Sequence, residues 1–215
     1  LLATFSIPLA RNLRTKADRL IGERKDLRER IAVRSLDEFA LERYESLFGR
    51  PTVLTRGMLS QLIRDEVSRI ETRLSPTFIE GEWLDVVDAW QIDTWEAYRD
   101  VPRLGRKTRL GEKQREALWP CFERIRATLD ERGLVTMPMV YAALTRHGAE
   151  HGELLVDAVV VDEAQDLSVS QLRFLAVIAG DKPDGLFFAG DLGQRIFQSP
   201  FSWSSLGVDI RGRSK

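Results

Sequence analysis

With 215 residues, 43% of them hydrophobic and 30% charged, the chain is long enough to bury a core of one or two domains, and a formal net charge of -1 excludes recognition of a polyanion by bulk charge alone. One cysteine, Cys121, excludes a disulfide framework and fits a reducing cytoplasm, and no apolar run approaches the roughly 20 residues of a membrane span. Charge is uneven along the chain: residues 1–34 hold nine Lys or Arg against four Asp or Glu, and Arg103 to Arg115 hold six against one. The sequence opens Leu1-Leu2-Ala3-Thr4-Phe5 without a methionine and closes on Arg211-Gly212-Arg213-Ser214-Lys215, which is the expectation for a piece of a longer protein.

Leu1 to Phe5 reads as the tail of a buried strand, and Ser6 as the cap of a helix whose apolar stripe, Leu9, Leu13, Ala17, Leu20 and Ile21, ends near Gly22. Arg30-Ile31-Ala32-Val33 is expected as a short strand feeding a helix from Ser35, with Glu38 completing a capping box. From about Pro51 to Gly148 the pattern turns helical and carries four of the five tryptophans. Leu59, Leu62, Ile63, Glu66, Val67 and Ile70 predict one helix, Trp83 to Trp90 a second, Ala117 to Leu129 a third, and Met137 to Leu144 a shorter fourth. Trp83, Trp90, Trp95 and Trp119 are expected to form the core of this helical region.

Within that region Arg103-Leu104-Gly105-Arg106-Lys107 is either a basic loop able to track phosphates or a solvated charged turn. It is not a glycine-rich phosphate loop, because Gly111 is followed by Glu112 where Lys and Ser or Thr are required. His147 and His151 suggest a metal pair, but Gly148 and Gly152 are expected to break any helix that would align them.

The most informative stretch comes last. Val159-Val160-Val161 ends in Asp162-Glu163-Ala164-Gln165-Asp166, and Leu186-Phe187-Phe188 ends in Ala189-Gly190-Asp191. Short apolar runs that finish in carboxylates are the pattern of strands buried in a parallel sheet whose C-terminal ends open onto a site. Two adjacent carboxylates there suit Mg²⁺, which takes one or two protein oxygens and shares the rest of its shell with water and phosphate. Between the runs, Ser168 caps a helix with Leu172, Leu175, Ala176 and Ala179 on one face and Gly180 as its stop, giving a strand, helix, strand crossover. The composite is expected to form the edge of a Walker-B-type NTPase site.

Asp162-Glu163-Ala164-Gln165-Asp166 together with Gly190-Asp191-x-x-Gln194-Arg195-Ile196-Phe197 resembles motifs II and III of the UvrD/Rep family of superfamily 1 DNA helicases. Superfamily 2 relatives would show a Ser-Ala-Thr-like third motif in place of Gly-Asp-x-x-Gln. The resemblance implies an α/β fold: a partial RecA-like P-loop NTPase domain with a parallel sheet (helicase domain 1A) at residues 1–48 and 150–215, and an all-helical inserted subdomain (1B) at 49–149. It implies ATP and Mg²⁺ as cofactors, with Asp162 and Glu163 at the metal, Asp162, Glu163, Asp191 and Gln194 at the nucleotide, and Glu163 and Gln194 as the catalytic pair.

Thr4-Phe5-Ser6-Ile7-Pro8-Leu9-Ala10 stands where the family has motif Ia, and Ser35-Leu36-Asp37 where it has motif Ib, with Asp37 in place of a frequent His. The implied DNA contacts are Thr4, Phe5 and Ser35, joined by Arg106 and Lys107 of the basic segment and by Phe201 and Trp203 after motif III. Single-stranded and duplex DNA are the implied partners, with 3′ to 5′ movement, in a nucleoid-associated cytoplasmic setting and away from membranes. A Walker A segment before Leu1 and a second RecA-like domain after Lys215 would complete the machine. A non-catalytic nucleic-acid or protein-binding module, and the helicase part of a nuclease-fused repair subunit, are the alternatives.

Overall fold

The computed structural model of the chain describes residues 1–102, 109–152, 155–180 and 182–190. It divides into two units, Leu1–Gly49 with the described residues from Tyr141 onward, and Arg50–Val140.

The first unit is built on a four-stranded parallel sheet of β1 (Leu2–Thr4), β2 (Val33–Ser35), β5 (Val159–Val161) and β6 (Leu186–Phe188), in the order β2-β1-β5-β6. Ala3 lies opposite both Arg34 and Val161, and Val161 opposite Phe188, so the four C-terminal ends are level. The period-two alternation of a strand is visible in β5: Val159 and Val161 are buried while Val160 is exposed. Helix α1 (Ile7–Ile21) packs on β1 and β2. Its N-cap Ser6 accepts the Leu9 amide through Oγ, and Gly22 ends it at φ 60°.

A six-residue helix, α2 (Lys25–Arg30), occupies part of the stretch expected as a strand, and β2 begins three residues later. Ser35 closes β2 and caps α3 (Leu36–Phe48): its Oγ accepts the Glu38 amide and donates to the Glu38 carboxylate at 3.0 Å. Helix α8 (Met137–His151) runs past the expected end at Leu144 and through Gly148. A Cβ at Gly148 would stand 2.5 Å from Val177 Cγ1, so this glycine serves close packing against α9 (Val169–Ala179) and is not a helix stop. The return to the first unit therefore falls at Tyr141, earlier than Glu150: Tyr141 is buried, its ring is 5.5 Å from Phe174 of α9, and Phe174 is 6.3 Å from Phe39 of α3.

The second unit is helical, with α4 (Arg56–Val67), α5 (Pro76–Glu82), α6 (Trp95–Asp100) and α7 (Glu112–Glu131) around one core. Ile63, Ile79, Tyr98, Leu118, Phe122, Ile125 and Leu129 are all fully buried there. Trp83 and Trp119 are buried in this core, and Trp90 and Trp95 pack against it, as the sequence predicts. The segment expected as one helix from Trp83 to Trp90 is instead a π-helical turn, Trp83–Asp88, that continues α5. Two short strands that no periodicity announces, β3 (Thr52–Val53) and β4 (Leu134–Val135), pair in parallel at the two ends of the unit. Among the described residues no helix is long and apolar enough to cross a membrane.

Candidate nucleotide and metal site

The acidic turn after β5 is fastened to the strands on both sides. The Asp162 amide donates to the Ala3 carbonyl at 3.0 Å, the Ala189 amide to the Val161 carbonyl at 2.8 Å, and the Ala164 amide to the Ala189 carbonyl at 2.9 Å. Asp162 and Glu163 thus leave the sheet at its C-terminal edge, where parallel sheets place their ligands. Asp162 is partly exposed and Glu163 exposed.

Glu163 adopts the left-handed backbone conformation, φ 55° and ψ 43°, which a residue with a Cβ enters only at a cost of about 1–2 kcal/mol. The turn that follows accounts for its persistence: Ala164–Asp166 forms one 3₁₀ turn, the Asp166 amide donates to the Glu163 carbonyl at 3.0 Å, and Ser168 caps α9 through a reciprocal pair of bonds with Gln171. The outcome is an abrupt change of direction that brings two successive carboxylates to one strand end. The Glu163 amide donates to Asp162 Oδ1 at 3.1 Å, and buried Gln165 donates from Nε2 to Glu163 Oε2.

Gln165 is a residue of this turn that motif reading by itself passes over. Its signal is weak, an amide two residues after the acid, but the fold gives it a seat. A Cβ on Gly190 would overlap Gln165 Oε1 and lie 2.8 Å from the Ala164 amide, so glycine at 190 is the condition for Gln165 to lie against the end of β6.

Thr4 ends β1 beside this turn. It is 1% exposed, and its Oγ1 is buried with no hydrogen-bond partner. Ser35, opposite Thr4 in the register, is equally buried, and its hydroxyl is engaged by Glu38. Neither hydroxyl reaches the surface, whereas Phe5 is half-buried at the start of α1. Asp37, at the position of the family's frequent His, faces inward: it accepts from Tyr141 Oη at 2.5 Å and from Gln171 Nε2 at 3.4 Å. Burial and that neighbouring carboxylate hold the Tyr141 phenol far above its ordinary range. Asp191, Gln194, Phe201 and Trp203, like Arg106 and Lys107, lie outside the described residues.

His147 and His151 are aligned after all, one helical turn apart on α8, with rings stacked at 4.2 Å. The His151 Nδ1 lies 2.9 Å from the His147 carbonyl. Among the described residues no group of three or more His, Cys, Asp or Glu side chains is placed to hold a metal. Mg²⁺ asks less of the protein, and Asp162 with Glu163 at a strand end, beside the orphaned Thr4 hydroxyl, is a donor set that fits a hydrated magnesium carried by a nucleotide.

No curated protein matches this chain. The family model described as the UvrD/REP helicase N-terminal domain matches residues 87–200, just over half of the chain and including both acidic strand ends. The strand-end carboxylates, the level parallel sheet that carries them and this match agree, and the chain belongs to the UvrD/REP helicase family through its N-terminal domain.

Proposed function

We propose that this chain is the nucleotide-facing part of an ATP-dependent DNA helicase that uses ATP and Mg²⁺ to move 3′ to 5′ along single-stranded DNA and open duplexes, in the nucleoid-associated cytoplasm. The sheet unit corresponds to part of the RecA-like domain 1A, and Arg50–Val140 to the helical insertion 1B. The observation that carries this reading is the Glu163 turn: a strained backbone at a parallel-strand end, with its carboxylate exposed and held by Gln165, beside a second carboxylate.

When bound, magnesium supplies charge neutralisation on the phosphates. Asp162, with Glu163 beside it, would hold the ion. Glu163 orients the attacking water and takes its proton, with Gln165 limiting how far the carboxylate swings. Gln194 and Asp191, outside the described residues, are assigned to the nucleotide by the family resemblance alone. Phe5 offers a base-stacking surface, joined in this reading by Arg106, Lys107, Phe201 and Trp203 as DNA contacts, whereas Ser35, buried and engaged by Glu38, serves as the cap of α3. The chain contains no Gly-x-x-x-x-Gly-Lys-Ser/Thr segment, so the 215 residues alone are expected to hydrolyse ATP slowly or not at all, with the phosphate loop and a second RecA-like domain supplied by the complete polypeptide.

The test is Glu163→Gln in that complete polypeptide. Removing the base while keeping the shape is expected to lower DNA-stimulated ATP turnover by roughly 10²- to 10⁴-fold and to leave nucleotide binding intact. Unchanged turnover would sink the catalytic assignment and favour a binding module.

A further inference from the structure

The Thr4 hydroxyl is a polar group buried without a partner, and valine has the same shape without the hydroxyl. Leaving a buried donor unpaired is unfavourable, so a threonine here calls for a partner that is engaged in another state of the site. The register says where that partner stands. On one side Thr4 faces Ser35, whose hydroxyl is already engaged by Glu38. On the other, Ala3 pairs with Val161 and accepts the Asp162 amide, so Asp162 is the next residue beside Thr4 on the neighbouring strand. Residues opposite one another in adjacent strands project to the same face, about 4.8 Å apart. Asp162 Oδ1 is held by the Glu163 amide, which leaves Oδ2 as the acceptor without a partner among the described residues.

We propose that Thr4 is a positioning residue of the magnesium-nucleotide site and not a DNA contact: its hydroxyl, unpaired in this conformation, turns to donate to the Asp162 carboxylate when the cation binds and fixes which oxygen faces it. The inference rests on the function proposed above. A charged acceptor suits the role, since hydrogen bonds to carboxylates are the strong ones. Burial of Thr4 excludes direct contact with a base or backbone phosphate in this conformation. No proton changes owner; the hydroxyl holds an orientation.

The test compares Thr4→Val and Thr4→Ser with the parent in the complete polypeptide, following the thermal shift given by a non-hydrolysable ATP analogue as magnesium is titrated, the melting temperature without ligand, and single-stranded DNA affinity. Thr4→Val is expected to melt at or above the parent without ligand, to bind DNA within about twofold of it, and to need roughly tenfold more magnesium for half of the thermal shift, while Thr4→Ser restores the parent's requirement. A parent-like magnesium requirement in Thr4→Val overturns the inference, and so does a selective loss of DNA affinity. A lowered melting temperature in both variants without a changed magnesium requirement makes the role structural and also overturns it. A parent protein with no magnesium-dependent shift at all removes the proposed function together with this inference, which separates the two failures.

Discussion

Asp88, in the π-helical turn, accepts hydrogen bonds from the Thr136 hydroxyl and the Gln91 amide, both at 2.8 Å, and is 4% exposed. Burial pushes its carboxyl up to about 6 despite those bonds and the nearby Arg126 guanidinium. The raised value fixes the sign of a pH effect. Between its ordinary 3.8 and about 6 the folded protein binds the proton that the unfolded chain has released, so the stability this group contributes is complete below about pH 4 and lost as pH rises through 6. Asp88→Asn, fixed in a neutral form, removes the dependence. Urea unfolding from pH 4 to 7 should show the parent losing stability relative to the Asn variant by on the order of 2–3 kcal/mol, and a flat difference across that window would contradict the assignment.

At the scale of elements, the foot of the basic segment is held by one buried arginine. Arg115 of α7 directs Nη1 to the carbonyls of Tyr98 and Arg99 at 2.7 Å and of Val101 at 3.2 Å, so a guanidinium satisfies the C-terminal end of α6. Helix ends leave their last carbonyls without partners, and the guanidinium answers three of them from Nη1 while its Nε donates to the Leu110 carbonyl at 3.4 Å, a second point of attachment that an ammonium lacks. Arg115→Met should therefore destabilise the helical unit by about 1–3 kcal/mol and speed amide exchange over residues 95–102, with Arg115→Lys recovering only part of the loss. Equal exchange in all three proteins would remove this role.

The same scale shows what the sequence makes legible. The strand ends at Asp162 and Gly190 were readable because a short apolar run that stops abruptly at polar residues is a local signal of a sheet strand, and α1, α3 and α9 because their serine caps are local signals too. Other features depend on neighbours distant in sequence. Gly148 stays helical because Val177 fills the space a side chain would take, and β3 with β4 are too short for any period to register. Glu163 enters the left-handed region through bonds that the later turn supplies, and Gln165 gains its role only once Gly190 lies against it. Asp37 looked like a departure at the DNA side, and the fold shows its carboxylate engaged by Tyr141 and Gln171.

For the molecule as a whole, the two units differ in how complete they are. The helical unit has its own core, from Leu59 to Leu129, with Leu54, Leu134 and Met139 packed against it. Residues 50–140 expressed alone are expected to melt in a single cooperative transition followed by circular dichroism, and a broad, gradual loss of helicity would show that the core is insufficient. The sheet unit has β6 at the end of the strand order, with Phe187 61% exposed and Val160 36% exposed on the adjacent strand. Strands of an all-parallel sheet are ordinarily covered on both faces, so this margin is the region of the described fold most in need of cover.

The pairing of Thr52 with Leu134 and Val53 with Val135 sets the two junctions of the helical unit about one strand spacing apart, roughly 4.8 Å. A host polypeptide asked to tolerate gain or loss of a cassette needs only to bridge that gap. The region between 54 and 133 can thus be lengthened, shortened or replaced with only that gap to bridge, and the same clasp marks where a grafted module should be joined.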